Sequence, residues 1–336
     1  MKLISVVVPC FNSEKYLNKC INTLLHDDDS VEIIIVNDGS TDKTDIIAKK
    51  YLEKYPNKIK YVVKENGGHG DAVCAGLKVA TGKYFKVCDS DDWFDRKAYD
   101  NILETLHKCH NENMDIDMFI NNFVYEKASK KKKRIMNYRS TVPTNTILKW
   151  EDIKLRHYQF FLMHSVIYKR DILLKANLQL PKHTFYVDNL YVFVPLKYVK
   201  TIYYIDENLY RYFIGRDDQS VNEANMIKKV DQQIFVNKEM FDVYRAMKDC
   251  TPKLKKYAKS YLQVITTVSS ILLVLDGSKE ALKKKKELWK YFKTTDPKVY
   301  RSLRYSIQGK IVNMPNSLNT LKKLVYKIYR KVWGFN

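Results

Sequence analysis

Three carboxylates, Asp89, Asp91 and Asp92, stand side by side in the segment DSDD. Carboxylates this close repel one another, which is costly unless a cation or a set of N–H donors offsets the charge. Hard divalent ions such as Mg2+ or Mn2+ take oxygen ligands of this kind, usually one or two carboxylates together with phosphate oxygens and water. The chemistry such a group could serve is the clamping of a metal against a diphosphate. The plainer alternative is a solvated acidic turn opening a helix after Trp93, with Asp92 or Asp95 favoured by the helix dipole. D-x-D in a turn does not by itself decide between them.

The elements expected to position these carboxylates alternate between strand and helix. Residues 4–8 and 31–36 (VEIIIV) are short and apolar throughout, as buried parallel strands are. Leu17, Cys20, Ile21, Leu24 and Leu25 recur between them at helical spacing, with Asn12 or Ser13 placed as N-cap. Asn37-Asp38-Gly39-Ser40 then turns into a helix reaching about Tyr51, residues 60–63 form a third strand, and Glu65-Asn66-Gly67-Gly68-His69-Gly70 leads into a helix over 72–80. A strand over 83–88 ends in the acidic segment. This order predicts an α/β fold, Rossmann-like, with a mostly parallel sheet. Ligands of such sheets bind beyond the carboxyl ends of the strands. Asn12, Asp38, Gly67 and Asp89 all fall just past a strand end, so four polar loops are expected on one rim.

Farther along, residues 117–125 are expected as a strand, residues 130–134 (KKKKR) with Tyr138 as an exposed hairpin or loop, and 164–168 as another strand before a short helix near 171–176. Residues 185–199 have helical apolar spacing with Asp188 on the first turn. Residues 201–204 and 209–213 read as a strand pair around Asp206-Glu207-Asn208. From about Met226 onward the pattern is helical. The expected domains are 1–225 and 226–336.

Taken together, VVVPCFNSEKYLNKCINTLL, IIIVNDGSTDKT, the segment from NGG to ATGKYFKVCDSDDW and, more loosely, FYVDNLYVF and YRYFIGRDDQSVN resemble the family 2 glycosyltransferases, inverting enzymes of the GT-A fold. The resemblance is strong over residues 3–96 and looser to about 225. It implies that Pro9, Phe11, Asn12 and Glu14 line a nucleotide pocket and that Asp38 accepts a hydrogen bond from a uracil ring. Gly67, Gly68 and His69 would border the ribose and sugar, Asp89 would face the ribose, and Asp91 would bind Mn2+ or Mg2+ between the two phosphates of a UDP-sugar. Asp188 would be the catalytic base, and Arg216 would help to hold the diphosphate or the acceptor. Two positions depart from the family pattern. Val73-Cys74 stands where an Arg-Asn pair is usual, and Val187-Asp188 replaces an acidic pair. The function implied is transfer of a sugar from a UDP-sugar to a hydroxyl of a glycan or lipid-linked acceptor, as in assembly of cell-surface polysaccharide.

Other chemistries find less support. There is no G-x-S-x-G and no G-x-x-x-x-G-K-[ST]. His157, His164 and His183 lack the mutual spacing of a zinc site, and the six cysteines lack C-x-x-C spacing, reading as free thiols of a reducing compartment. A sugar nucleotidyltransferase would also use a parallel sheet and a carboxylate-bound metal, but no glycine-rich loop directly follows the first strand. A non-catalytic basic adaptor for membrane or nucleic acid is the remaining alternative.

The net charge of +21 is unevenly spread. Residues 1–125 carry 16 Lys and Arg against 20 Asp and Glu, while residues 126–336 carry 43 against 18. An anionic partner is therefore expected on the second part. At its end Leu318, Leu321, Val325, Ile328, Val332 and Phe335 recur at helical spacing among Lys322, Lys323, Lys327, Arg330 and Lys331, beside Trp333. This basic amphipathic pattern over 316–336 predicts peripheral attachment to the inner face of the cell membrane. Nucleic acid is the weaker expectation, since no RNP-like aromatic pattern or helix-turn-helix signal is present. Residues 261–275 are interrupted by Gln, Thr and Ser and read as a core helix, and no signal-peptide pattern follows MKLISVVVPC, so a cytoplasmic location is expected.

Overall fold

The computed structural model describes residues 1–127, 133–156, 159–214, 223–319 and 326. Its contacts gather into two units, Met1–Ile214 and Gly215–Asn336.

In the first unit, β1 (Ile4–Cys10), β2 (Val31–Asp38), β3 (Ile59–Lys64) and β4 (Tyr84–Val87) alternate with α1 (Leu17–Leu24), α2 (Thr44–Lys54) and α3 (His69–Val79). β1 and β2 are buried at every residue, as their unbroken apolar runs require. The four strands pair in parallel in the order β3–β2–β1–β4. α1 buries Leu17, Cys20, Ile21 and Leu24, the stripe expected from their spacing. Its N-cap is Tyr16 rather than Asn12 or Ser13, because the side chain of Asn12 is bonded to the loop after β2 and that of Ser13 to Ser90 in the acidic segment.

Beyond β4 the sheet is mixed rather than mostly parallel. β5 (Trp93–Phe94) and α4 (Arg96–Asn111) lead to β6 (Met118–Ile120), β7 (Phe123–Lys127), β8 (Arg134–Met136), β9 (Ile147–Leu148) and β10 (Val166–Lys169). α5 (Arg170–Lys175), α6 (Asp188–Phe193), β11 (Ile202–Tyr204) and β12 (Tyr210–Ile214) complete the unit. β10 runs antiparallel to both β4 and β6, and β9 antiparallel to β11, in an eight-stranded sheet. Antiparallel neighbours need no helical crossover, so a sequence pattern of alternating elements does not anticipate them. A second sheet is ordered β5–β12–β7–β8.

Three local expectations change accordingly. Residues 117–125 are two strands in different sheets, broken at the buried Asn121 and Asn122. β11 and β12 do not pair with each other, because Asn122 N–H bonds to Glu207 O and its side chain to Asp206 and Asn208, holding the turn between the sheets. Tyr138 is buried, its hydroxyl within 3.2 Å of Phe160 O and 3.1 Å of Ser165 Oγ. Of the basic run, residues 130–132 lie outside the described residues.

α3 lies closely on β1 at Gly76, where an added Cβ would come within 2.4 Å of Val7 Cγ1. Gly76→Ala is expected to lower stability by about 1–3 kcal/mol, seen as a reduced Tm in a thermal melt. An unchanged Tm would mean that the helix can lift off the sheet without cost.

The second unit is helical among its described residues: α7 (Glu223–Lys228), α8 (Val230–Ala246), α9 (Pro252–Asp276), α10 (Lys279–Thr295), α11 (Pro297–Arg304) and α12 (Ile307–Val312). α9 starts at a Thr251 cap followed by Pro252 and ends at Gly277, φ +73°, a left-handed terminus that glycine adopts without strain. By length and composition alone α9 could cross a membrane, but 67% of its most apolar window is buried. Its polar residues are bonded inward, Thr266 to Asn237 and Ser270 to Trp289, as in a core helix. All six cysteines are free.

Candidate active site

The loops after β1, β2, β3 and β4 meet at the carboxyl edge of the sheet. Asn12, at φ +49°, accepts from Thr41 N–H through its side chain, and its own N–H donates to Ser40 Oγ. Glu14 N–H donates to Asp42, and the Glu14 carboxylate accepts from Lys43 N–H. Ser13 Oγ lies 2.7 Å from Ser90 Oγ, tying the first loop to the acidic segment. Asp38 ends β2 almost fully buried. Its carboxylate accepts from Gly67 N–H at 2.9 Å, Gly68 N–H at 2.7 Å and Lys64 Nζ at 2.5 Å. Those bonds shape the glycine loop, whose Gly68, φ +84°, is the N-cap of α3.

That loop delivers His69, the first residue of α3, to Asp89. Nε2 lies 2.8 Å from Asp89 Oδ1. Burial disfavours the charged imidazole, but the carboxylate of Asp89, followed by those of Asp188 and Asp91, more than offsets it and raises the His69 pKa. Burial likewise pushes Asp89 up, yet the charge and hydrogen bond of His69 hold it below the ordinary carboxylate value. Asp188, half-buried at the start of α6, has its pKa raised by burial and by Asp89, with His69 acting in opposition. It is preceded by Tyr186 at φ +66°, an uncommon conformation for a bulky residue. The segment is anchored where His183 N–H donates to Gly67 O at 2.7 Å.

The acidic segment itself divides. Asp95, not Asp92, caps α4, accepting from Ala98 N–H. Asp92 is buried, with Oδ2 accepting from the Tyr210 hydroxyl and Oδ1 from Phe213 N–H, both at 2.7 Å. Burial, then the neighbouring charges of Asp91 and Asp89, raise its pKa well above the ordinary value. Asp91 is half-buried beside them.

Two further residues lie behind this group, His164, set aside above for want of zinc spacing, and Lys86, which drew no expectation. His164 stacks on Tyr212 at 4.3 Å between ring centroids, and burial lowers its pKa to about 4. Lys86 is fully buried and donates to His164 O and Val166 O. Burial lowers its pKa to about 7. A lone cation inside the apolar strand YFKV was the available signal for Lys86; nothing in spacing pointed to His164.

Asp89, Asp92 and His164 each offer one ligand atom within 4.8 Å of the others. His164 Nδ1 is buried without a hydrogen-bond partner, and the adjoining carboxylates repel one another. A buried unpartnered nitrogen beside crowded carboxylates suits a divalent cation, which would satisfy both.

The remaining expected residues are dispersed around the rim. Pro9 is buried at the end of β1, whereas Phe11 is 53% exposed just beyond it. Val73 and Cys74 are buried in α3 and present no polar group in place of the Arg-Asn pair. Trp93 is half-buried, with Lys19 Nζ 2.8 Å from its ring centroid. Arg216 and His157 lie outside the described residues.

This is an α/β protein whose strand-end loops gather a buried Asp, a His–Asp pair and a carboxylate cluster on one rim, followed by a helical region. The model of glycosyl transferase family 2 matches residues 5–172, half of the chain, and the chain belongs to that family. GgaB of Bacillus subtilis strain 168, a minor teichoic acid biosynthesis protein, is 39% identical over 111 residues, 32% of this chain and 12% of GgaB. EpsH of the same organism is 24% identical over 286 residues, 81% of this chain and 76% of EpsH. The chain thus spans only a small part of GgaB but most of EpsH. Among solved structures, S. aureus TarS 1–349 superposes with a TM-score of 0.67 at 19% identity, over 98% of this chain and 92% of that one. The likeness shows a GT-A-like domain followed by helices. TarS 1–349 has also been crystallised with UDP-GlcNAc.

Proposed function

We propose that this chain is an inverting glycosyltransferase that moves a sugar from a UDP-sugar to a hydroxyl of a glycan or lipid-linked acceptor in cell-surface polysaccharide synthesis. The observation that carries the reading is the approach of Asp188 to the His69–Asp89 pair at the carboxyl edge of the sheet, with its pKa raised by burial. A carboxylate with a raised pKa is a better proton acceptor, and a base of this kind contributes typically ~10²–10⁴-fold. In the reaction the acceptor oxygen bonds to the anomeric carbon as its proton passes to Asp188. The bond from that carbon to the diphosphate oxygen breaks on the opposite face, so the configuration inverts and UDP leaves with the electron pair. Exposed Phe11 would pack against the base, with Pro9, Asn12 and Glu14 shaping the pocket around it. Gly67, Gly68 and His69 would border the sugar, and His69 would keep Asp89 oriented toward the ribose. Asp38, holding the glycine loop, would face the uracil. Arg216 would contact the diphosphate or acceptor.

Asp91, with Asp89, Asp92 and His164 beside it, would hold Mn2+ or Mg2+, which would supply positive charge against that developing on the leaving diphosphate. Placement on the cytoplasmic face of the membrane through the basic pattern over 316–336 suits a lipid-linked acceptor; most of that segment lies outside the described residues. The domain limits proposed for these roles are 1–225 and 226–336.

The test is a UDP-release screen over common UDP-sugars with and without Mn2+. Release of UDP that depends on both metal and acceptor is expected. Formation of pyrophosphate from UTP and a sugar 1-phosphate, with no UDP released from any UDP-sugar, would make the protein a nucleotidyltransferase, and no turnover of any nucleotide sugar would remove the catalytic reading.

A further inference from the structure

The second unit contains an open cleft of about 530 Å3 with walls from α10, α11 and the chain after α12. Lys286, Lys290, Lys293 and Arg304 line it, together with Tyr300 and Asn313, and among the described residues no Asp or Glu does. Among the described residues, none of these four cations has a carboxylate within ion-pair distance. Other lysines of the same helix do: Lys283 pairs with Glu287, and Lys284 with Asp231 and Glu280. The carboxylates of this region are therefore spent on neighbouring lysines and leave the cleft positive. Its floor is firm. Lys285 is buried and donates to Val312 O, joining α10 to the end of α12, and buried Trp289 is fixed through Ser270.

The spacing of the cations limits what they fit. Lys286, Lys290 and Lys293 stand at i, i+4 and i+7, one face of α10 spanning about 10 Å of helix axis. A row of charges at roughly one-turn intervals suits a chain bearing several anionic groups better than one phosphate. A concave site of this volume admits a single strand but not a flat bilayer. Trp289 is only 6% exposed and the half-buried Tyr300 packs at an angle against it, so the cleft offers at most one ring, not the succession of aromatic platforms on which the bases of single-stranded nucleic acids stack.

We propose that this cleft binds a glycan chain carrying phosphodiester groups, the lysine row and Arg304 contacting successive phosphates. This deepens the acceptor half of the function proposed above, and its test is a binding measurement that needs no turnover, so each can fail separately. Titration calorimetry of the full chain at low salt would compare a poly(glycerol phosphate) oligomer with inorganic phosphate, phosphatidylglycerol vesicles and an RNA oligomer. The oligomer is expected to bind most tightly and to weaken as salt rises. The triple variant Lys286→Gln, Lys290→Gln, Lys293→Gln is expected to lose about tenfold to hundredfold in affinity for it, with UDP binding unchanged. Arg304→Gln, on a different helix, is a second variant expected to weaken the oligomer should the triple variant fold poorly. Undiminished oligomer binding in the folded variants overturns the proposal, as does equal binding of inorganic phosphate or tighter binding of vesicles or RNA.

Discussion

Asp188→Asn is expected to keep UDP-sugar affinity and to lose about 10²–10⁴-fold in turnover. The amide keeps the size and the polar contacts of the side chain but cannot take a proton. The pH dependence of the wild type provides a second readout. Asp188 must be ionised to act, and burial raises its pKa. The acidic limb of the rate profile should therefore lie above the ordinary carboxylate value of about 4, with activity falling as pH drops through the raised pKa. The stability sign is the opposite of that for a salt-bridged carboxylate. A proton bound more tightly in the fold than in the unfolded chain makes stability decline as pH rises from the ordinary value through the raised one. At neutral pH the ionised group is a cost to folding, so the Asn variant should melt no lower than wild type. Wild-type turnover in Asp188→Asn would remove the residue as base, and a much lower Tm would show that its role is structural.

Asp91→Ala is expected to abolish metal-dependent UDP release while leaving a cooperative fold. Asp91 is half-buried beside two other carboxylates, and its charge helps to raise the pKa of Asp92. Removing it relieves that repulsion but also forgoes its attraction for the His69 ring, so the two effects oppose each other. The variant should therefore change little in Tm in metal-free buffer and lose the Mn2+-induced increase in Tm expected of wild type. The paired outcome separates a metal ligand from a structural carboxylate, which would lower the Tm when removed. Retention of both the Mn2+ response and turnover would transfer the metal to Asp89, Asp92 and His164 alone.

Much of the site's frame was legible because it is local. The buried strands β1 and β2 are continuous apolar runs, α1 carries its stripe at three- and four-residue spacing, and Asp38, Gly67 and Asp89 follow strand ends. These features depend on near neighbours along the chain, where backbone geometry translates spacing into facing. The helical character of the second unit was legible for the same reason.

What the chain encodes locally is thus a run of strand–helix units, a set of polar strand-end loops and a basic remainder. Only the fold decided that β10 enters antiparallel beside β4, bringing His164 next to Asp89 and Asp92. The same holds for Asp92, which turns inward to Tyr210 and Phe213, and for Asp38, whose carboxylate holds the glycine loop. It holds also for Asn12, which bonds to the second loop instead of capping α1. These are contacts between residues far apart in sequence, created when apolar faces bury and neighbouring polar groups must find partners there. Hydrophobic periodicity indicates which face is buried, but not which distant donor or acceptor will meet a given side chain once water has been excluded.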